Sequence, residues 1–274
     1  MESIRDFIDD YGFLTFGRDY ISVKNYVFSL QKILISAELT ISNMIDCCKN
    51  GCFADANILL RKYRDDLFFA LYVVVYDASK KITTSIDNEK IEKNIEKWLQ
   101  NNLSDLQINT VLKQVGNYPY VEKAVKKYNL QKAFSEISTR LNNFVHGNGF
   151  SFYNQNVLAY KDEELFDQLS QINEDLRFIT ITFLFLIILC SPLYIMSTDY
   201  IDFLEMGQTP PDGSQCRIVF QITATLIQFG DCKHKLCRFF SDCRFKDCSI
   251  VSLQPIFRYC SDFSRAWIIL LFTP

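Results

Sequence analysis

The sequence predicts an all-α protein, a bundle of long antiparallel helices. Three observations lead there. Apolar residues recur at alternating four- and three-residue steps over several long stretches, as a buried helical stripe requires. Glycine and proline number only nine and six in 274 residues, too few for an all-β chain with a turn roughly every ten residues. Strand-like and helical patterns nowhere alternate as βαβ units do. Hydrophobic residues make up 49% of the chain and charged residues 22%, which fills a core and argues against wholesale disorder.

Residues 1–21 are expected to be an N-terminal lead-in. Glu2, Arg5, Asp6, Asp9 and Asp10 interrupt it, so it lacks the apolar stretch of a secretory signal. A reducing, cytoplasmic setting follows as the expectation, with the ten cysteines as free thiols or metal ligands rather than disulfides. Val23, Val27, Leu30, Leu34, Ala37, Ile41, Met44 and Cys48 form one continuous seam, predicting a helix over 22–50 with Gly51 as its stop. Phe28, Ile33 and Ile35 widen that stripe beyond a coiled-coil seam, so the helix should be covered on more than one side.

A second helix is predicted over 54–76, where Ala56, Leu60, Tyr63, Leu67, Ala70 and Val74 keep the spacing. Its uncharged second half should be central. Residues 87–103 are polar except for Ile91, Ile95, Trp98 and Leu99 on one face, as in a surface helix. Short helices are expected over 105–115 and 120–129, and a longer one over 130–145 with Ala133, Ile137, Leu141 and Phe144 inward. Asp162, Glu163 and Glu164 then open a long helix, three carboxylates at the positive end of its dipole. Leu165, Leu169, Ile172 and Leu176 continue its seam.

Residues 178–198 contain no charge and are long enough to cross a hydrocarbon core. The stretch nevertheless continues an amphipathic helix, holds Pro192 near its end, and is flanked by Arg177, Asp199 and Asp202 rather than by a basic loop. It is therefore expected to be the buried last helix of the bundle, with a membrane anchor as the alternative.

The turn-like stretch 208–215 marks the main boundary. Residues 22–207 form the bundle and 216–274 a cysteine-rich tail. Charge divides there too: 21 basic against 28 acidic residues before position 216, 8 against 4 after it, with six of the ten cysteines in the tail. Cys232, His234, Cys237, Cys243 and Cys248 lack paired zinc-knuckle spacing, so no metal site is placed among them. The tail's composition is that of an irregular or non-native end, such as a frame change near codon 216 would leave. No cofactor is expected.

Two clusters carry candidate chemistry. Histidine occurs only at 146 and 234. His146 closes the run Arg140-Leu141-Asn142-Asn143-Phe144-Val145-His146-Gly147-Asn148-Gly149. A histidine at a helix C-terminus has its cation stabilised by the dipole and suits acid–base work near neutrality. Arg140 can neutralise a phosphate, and Asn142 and Asn143 can donate hydrogen bonds. The second cluster is Arg61-Lys62-Tyr63-Arg64-Asp65-Asp66. Arg61 and Arg64 lie on nearly one face, either as a phosphate-binding wall or dimer contact, or as part of a partly buried salt-bridge network, the reading that paired buried arginines favour.

The Arg140-x5-His146 run followed by Gly147, at the end of an internal helix of an all-α bundle, resembles the HEPN superfamily. The likeness spans 22–198 in helical layout and 140–147 in motif. It implies a metal-independent ribonuclease acting as a homodimer on RNA, in toxin–antitoxin or phage-defence settings, with an antitoxin or defence partner. It further implies that His146 is the acid–base group at the RNA 2′-hydroxyl, that Arg140 stabilises the charged phosphorane, and that Asn142 or Asn143 is the auxiliary polar residue. Helical geometry adds a condition. Arg140 and His146 stand about 120° apart around a regular helix, so they converge only if the helix breaks before His146 or a second chain completes the site. Asn142 and His146 share a face. The alternative for these residues is a capping network in an inactive helical interaction protein, antitoxin-like or membrane-associated, with Gly147 as the left-handed cap.

Overall fold

The computed structural model describes residues 1–16, 20–80, 88–100, 102, 108–117, 119–146, 162–190, 202–203 and 206–209. Among them the protein is an all-α bundle with one small hairpin. The order is α1 (Glu2–Phe16), β1 (Tyr20–Val23), β2 (Tyr26–Ser29), α2 (Gln31–Lys49), α3 (Phe53–Lys80), α4 (Asn88–Leu99), α5 (Ile108–Val115), α6 (Pro119–Lys127), α7 (Leu130–Val145) and α8 (Asp162–Cys190). Gly147, Asn148 and Gly149, residues 191–198 and the whole 216–274 tail with its cysteines and His234 lie outside the described residues.

The N-terminal part corrects the expected helix over 22–50. That helix begins at Gln31, and the preceding residues form an antiparallel hairpin pairing Tyr20 with Ser29 and Val23 with Tyr26. Tyr, Ile, Val and Phe suit a pleated, half-buried surface, and along β1 exposure alternates, with Ile21 and Val23 inward. Lys24 takes a left-handed φ of 50° to turn the chain. Ser29 Oγ then accepts the Gln31 backbone N–H at 3.2 Å, satisfying one orphan donor at the start of α2. The lead-in contains a helix, α1, which packs on α2 and buries Ile4, Phe7 and Ile8.

At the other end of α2 the expected stop is present. Gly51 has φ 74° and donates to Cys48 O at 3.1 Å, while Cys52 donates to Cys47 O at 2.8 Å. These two bonds make a Schellman cap. The chain reverses, and α3 runs back along α2.

Helix α3 is the hub, in contact with α2, α4, α5, α7 and α8. Its second half is buried on every side from Leu67 to Tyr76, as an uncharged helix segment should be. A row of rings joins the three central helices. Phe68 of α3 meets Phe134 of α7 edge-on at 4.8 Å, and Phe134 meets Phe178 of α8 at 5.1 Å. Tyr63 of α3 and Thr180 of α8 share a buried hydrogen bond of 2.7 Å, and Thr180 Oγ1 lies 2.7 Å from the Leu176 carbonyl as well. The α4 helix rests on the hub through Ile91, Ile95 and a 3.8 Å stack of Trp98 on Phe69.

The uncharged stretch expected to be a core helix is one as far as Cys190. Phe178, Ile179, Ile181, Phe183, Leu184, Phe185, Leu186 and Ile187 are all buried. No described helix is long and apolar enough to cross a membrane.

Candidate functional site

The candidate residues gather around α7. The helix buries Leu130, Phe134, Ile137, Leu141 and Phe144. At 100° per residue this places Ser138 and Arg140 on opposite flanks of the buried face, each about 80° from its centre, and His146 about 160° from it. The structure follows that wheel.

On one flank, α7 meets the charged segment of α3. Arg64 is 3% exposed. Its Nε and Nη2 donate to Asp65 Oδ1 at 2.9 and 2.7 Å, and its Nη1 donates across the helix interface to Ser138 Oγ at 2.9 Å. Burial raises the pKa of the Asp65 carboxyl, and the Arg64 guanidinium opposes that rise. Arg61 lies 3.7 Å from Asp65, and its Nη1 has no hydrogen-bond partner among the described residues. Lys62 and Asp66 turn the other way, toward α2, where Lys62 Nζ reaches Ser36 Oγ at 2.7 Å and Thr40 Oγ1 at 3.0 Å. The charged segment is therefore a network between helices, and the Arg64 guanidinium faces Asp65 and Ser138 rather than solvent.

On the other flank, Arg140 reaches α8 and forms an ion pair with Asp175. The carboxylate is 1% exposed, while 35% of the Arg140 side chain remains accessible. Gln171, one turn earlier on α8, donates to the second carboxylate oxygen at 3.1 Å. Burial lowers the pKa of the Arg140 guanidinium, whose Nε has no hydrogen-bond partner among the described residues.

The third part is the end of α7. His146 is its C-cap, with φ −88° and ψ 1°, and its backbone N–H bonds to Asn142 O at 3.1 Å. The helix does not break before it. His146 and Asn143 are exposed and Asn142 is half-buried. No hydrogen bond or ion pair joins Arg140 to His146 among the described residues.

The structure thus brings Arg64 and Arg140 to one helix on separate flanks, and leaves His146 with the asparagines on its outward face. Sequence reasoning missed Ser138, Gln171 and Asp175. The last had a signal: an acid beside Ile172, Leu176 and Ile179, at the approach to the uncharged part of α8 that begins at Phe178. Among the described residues no group of three or more His, Cys, Asp or Glu side chains is placed to hold a metal ion.

Fold and site together define an all-α bundle whose hub helices are tied by buried polar pairs beside an exposed histidine. No family model, no curated protein and no solved structure matches the chain.

Proposed function

We propose that the chain is a HEPN-like, metal-independent endoribonuclease whose working unit is a homodimer. The observation that carries the reading is His146: an exposed imidazole on the last turn of an internal bundle helix, with Asn142 and Asn143 beside it. There it takes the proton from an RNA 2′-hydroxyl, which attacks the adjacent phosphate, and a protonated histidine returns a proton to the leaving 5′-oxygen. Arg140 lies on a different side of the unbroken helix, so the phosphate's cationic partner comes from a facing copy of α7, as a two-fold axis would arrange. The acidic body disfavours loose, nonspecific RNA binding, which fits a small, structured RNA target in a defence or toxin–antitoxin setting.

The test is cleavage of RNA by the purified protein in EDTA, beside His146→Ala and Arg140→Lys, with folding and oligomeric state measured on each. Cleavage by wild type, lost in a folded, dimeric His146→Ala, supports the reading. Equal inertness of all three, with equal stability, overturns it.

One observation favours a second reading, an inactive helical interaction protein. Arg140 already has a counter-ion in Asp175, so its charge is engaged without any RNA. Under that reading a soluble or membrane-associated partner would be retained equally by wild type and His146→Ala.

A further inference from the structure

The cap between α2 and α3 carries chemistry that the ribonuclease reading does not use. In a Schellman cap the side chains at the third-from-last helical position and at the second position past the C-cap, here Asn50, frequently meet, and that contact is ordinarily apolar. Here those two positions are Cys47 and Cys52. The cap is fully formed: Cys52 N–H to Cys47 O at 2.8 Å, Gly51 N–H to Cys48 O at 3.1 Å, and Gly51 at φ 74°. Both cysteines are free and only half-buried. Cys52 also contributes to the electrostatic surroundings of the Cys47 thiol, after burial and Asp55. The neighbouring Cys48 stands one residue, about 100°, around the helix from Cys47.

We propose that Cys47 and Cys52 form a dithiol site that a low-molecular-weight disulfide, such as oxidised glutathione, converts to an intramolecular disulfide. The backbone bond across the cap, Cys52 N–H to Cys47 O at 2.8 Å, ties the two residues together at the main chain, which is the proximity a disulfide between them needs. Cys52, at the mouth of α3, reacts first. Its thiolate attacks one sulfur of oxidised glutathione, breaks that S–S bond and expels a glutathione thiolate. Cys47 then gives its proton to water and attacks the Cys52 sulfur, expelling the second glutathione. Two protein thiols are oxidised to one disulfide, and one oxidised glutathione is reduced to two thiols. Burial raises the pKa of Cys47, which places it second in the sequence. In a reducing compartment the bond is transient, as cytosolic disulfides usually are.

Lys49 lies between the two cysteines, which gives a direct readout. The full-length chain, reduced and then exposed to oxidised glutathione, is alkylated and digested with trypsin without reductant. The expected result is that the peptide ending at Lys49 and the one beginning at Asn50 remain joined, and separate on adding dithiothreitol. Cys48→Ser should leave the joined species at wild-type yield. Cys47→Ser should abolish it and leave glutathione on Cys52. Circular dichroism on each variant confirms that the helices are intact. The proposal is overturned if Cys48→Ser abolishes the link, if Cys47 or Cys52 is recovered joined to a cysteine of the tail instead, or if both are alkylated in full after oxidation. Cleavage activity enters none of these outcomes, so the proposal stands or fails apart from the ribonuclease reading.

Discussion

Asp175 of α8 is almost wholly withdrawn from solvent, and the charge that compensates it is the guanidinium of Arg140 on α7. The residue that the motif nominates for phosphate is thus also the counter-ion of a buried carboxylate. Loss of activity in an Arg140 variant has two sources, chemistry and fold, and they separate only if stability is measured beside cleavage.

Arg140→Ala should destabilise the protein by about 3 kcal/mol, the low end for removing one partner of a buried pair, because Arg140 itself stays partly exposed. Replacing both partners, Arg140→Met with Asp175→Leu, should recover most of the loss, since two apolar side chains leave no uncompensated charge. Urea unfolding of wild type, Arg140→Ala and the double variant measures this. Equal midpoints for wild type and Arg140→Ala would show that the pair contributes nothing.

His146→Ala should behave oppositely. Its side chain is exposed, and the bond it makes as C-cap, to Asn142 O, comes from the backbone N–H, which alanine keeps. The stability change should stay within about 0.5 kcal/mol, as for surface positions generally. Thermal melting tests this, and a large drop would mean that the imidazole is a structural cap.

The helices were legible where burial is periodic. The seam of Ile137, Leu141 and Phe144 and the helix-stopping Gly51 lie where the spacing puts them, because a 3.6-residue period reports directly which face is buried. The hairpin was not legible. Val23 and Val27 are four apart and fit a helical seam, while two four-residue strands offer too little alternation to outvote it. The outward position of His146 follows from its place on the α7 wheel. The partners of Arg140 and Arg64 do not, because periodicity gives a face and not the neighbour that covers it. Asp175 is 35 residues from Arg140, and Ser138 is 74 from Arg64.

Tyr63→Phe tests the tie between the two longest helices. The phenol hydroxyl and Thr180 share a hydrogen bond in a fully buried setting, and burial holds the Tyr63 pKa far above its ordinary value. Removing the hydroxyl leaves Thr180 its contact with the Leu176 carbonyl, so no new orphan is created there. The loss should be about 1 kcal/mol, read as a lower urea midpoint with unchanged helicity. A loss above about 3 kcal/mol would require a packing role for the hydroxyl that one net hydrogen bond does not supply.

Alkaline pH gives a separate handle on the α2–α3 cap. Burial, reinforced by Cys47, pushes the Cys48 thiol up from an ordinary 9.0 to about 11, although the nearby N-terminal amine pulls it down. The folded value lies above the unfolded one, so the folded state holds this proton more tightly. The contribution is fully present below pH 9, where both states carry the thiol, and is lost as pH rises toward 11, where the unfolded chain ionises first. Kept reduced, the protein should lose stability across that window, and Cys48→Ala should flatten the fall while other groups continue to titrate. Urea midpoints for the two proteins between pH 8 and 11 measure the difference. Parallel curves would show that the Cys48 thiol ionises as freely in the fold as in the unfolded chain, and that the cap does not shield it.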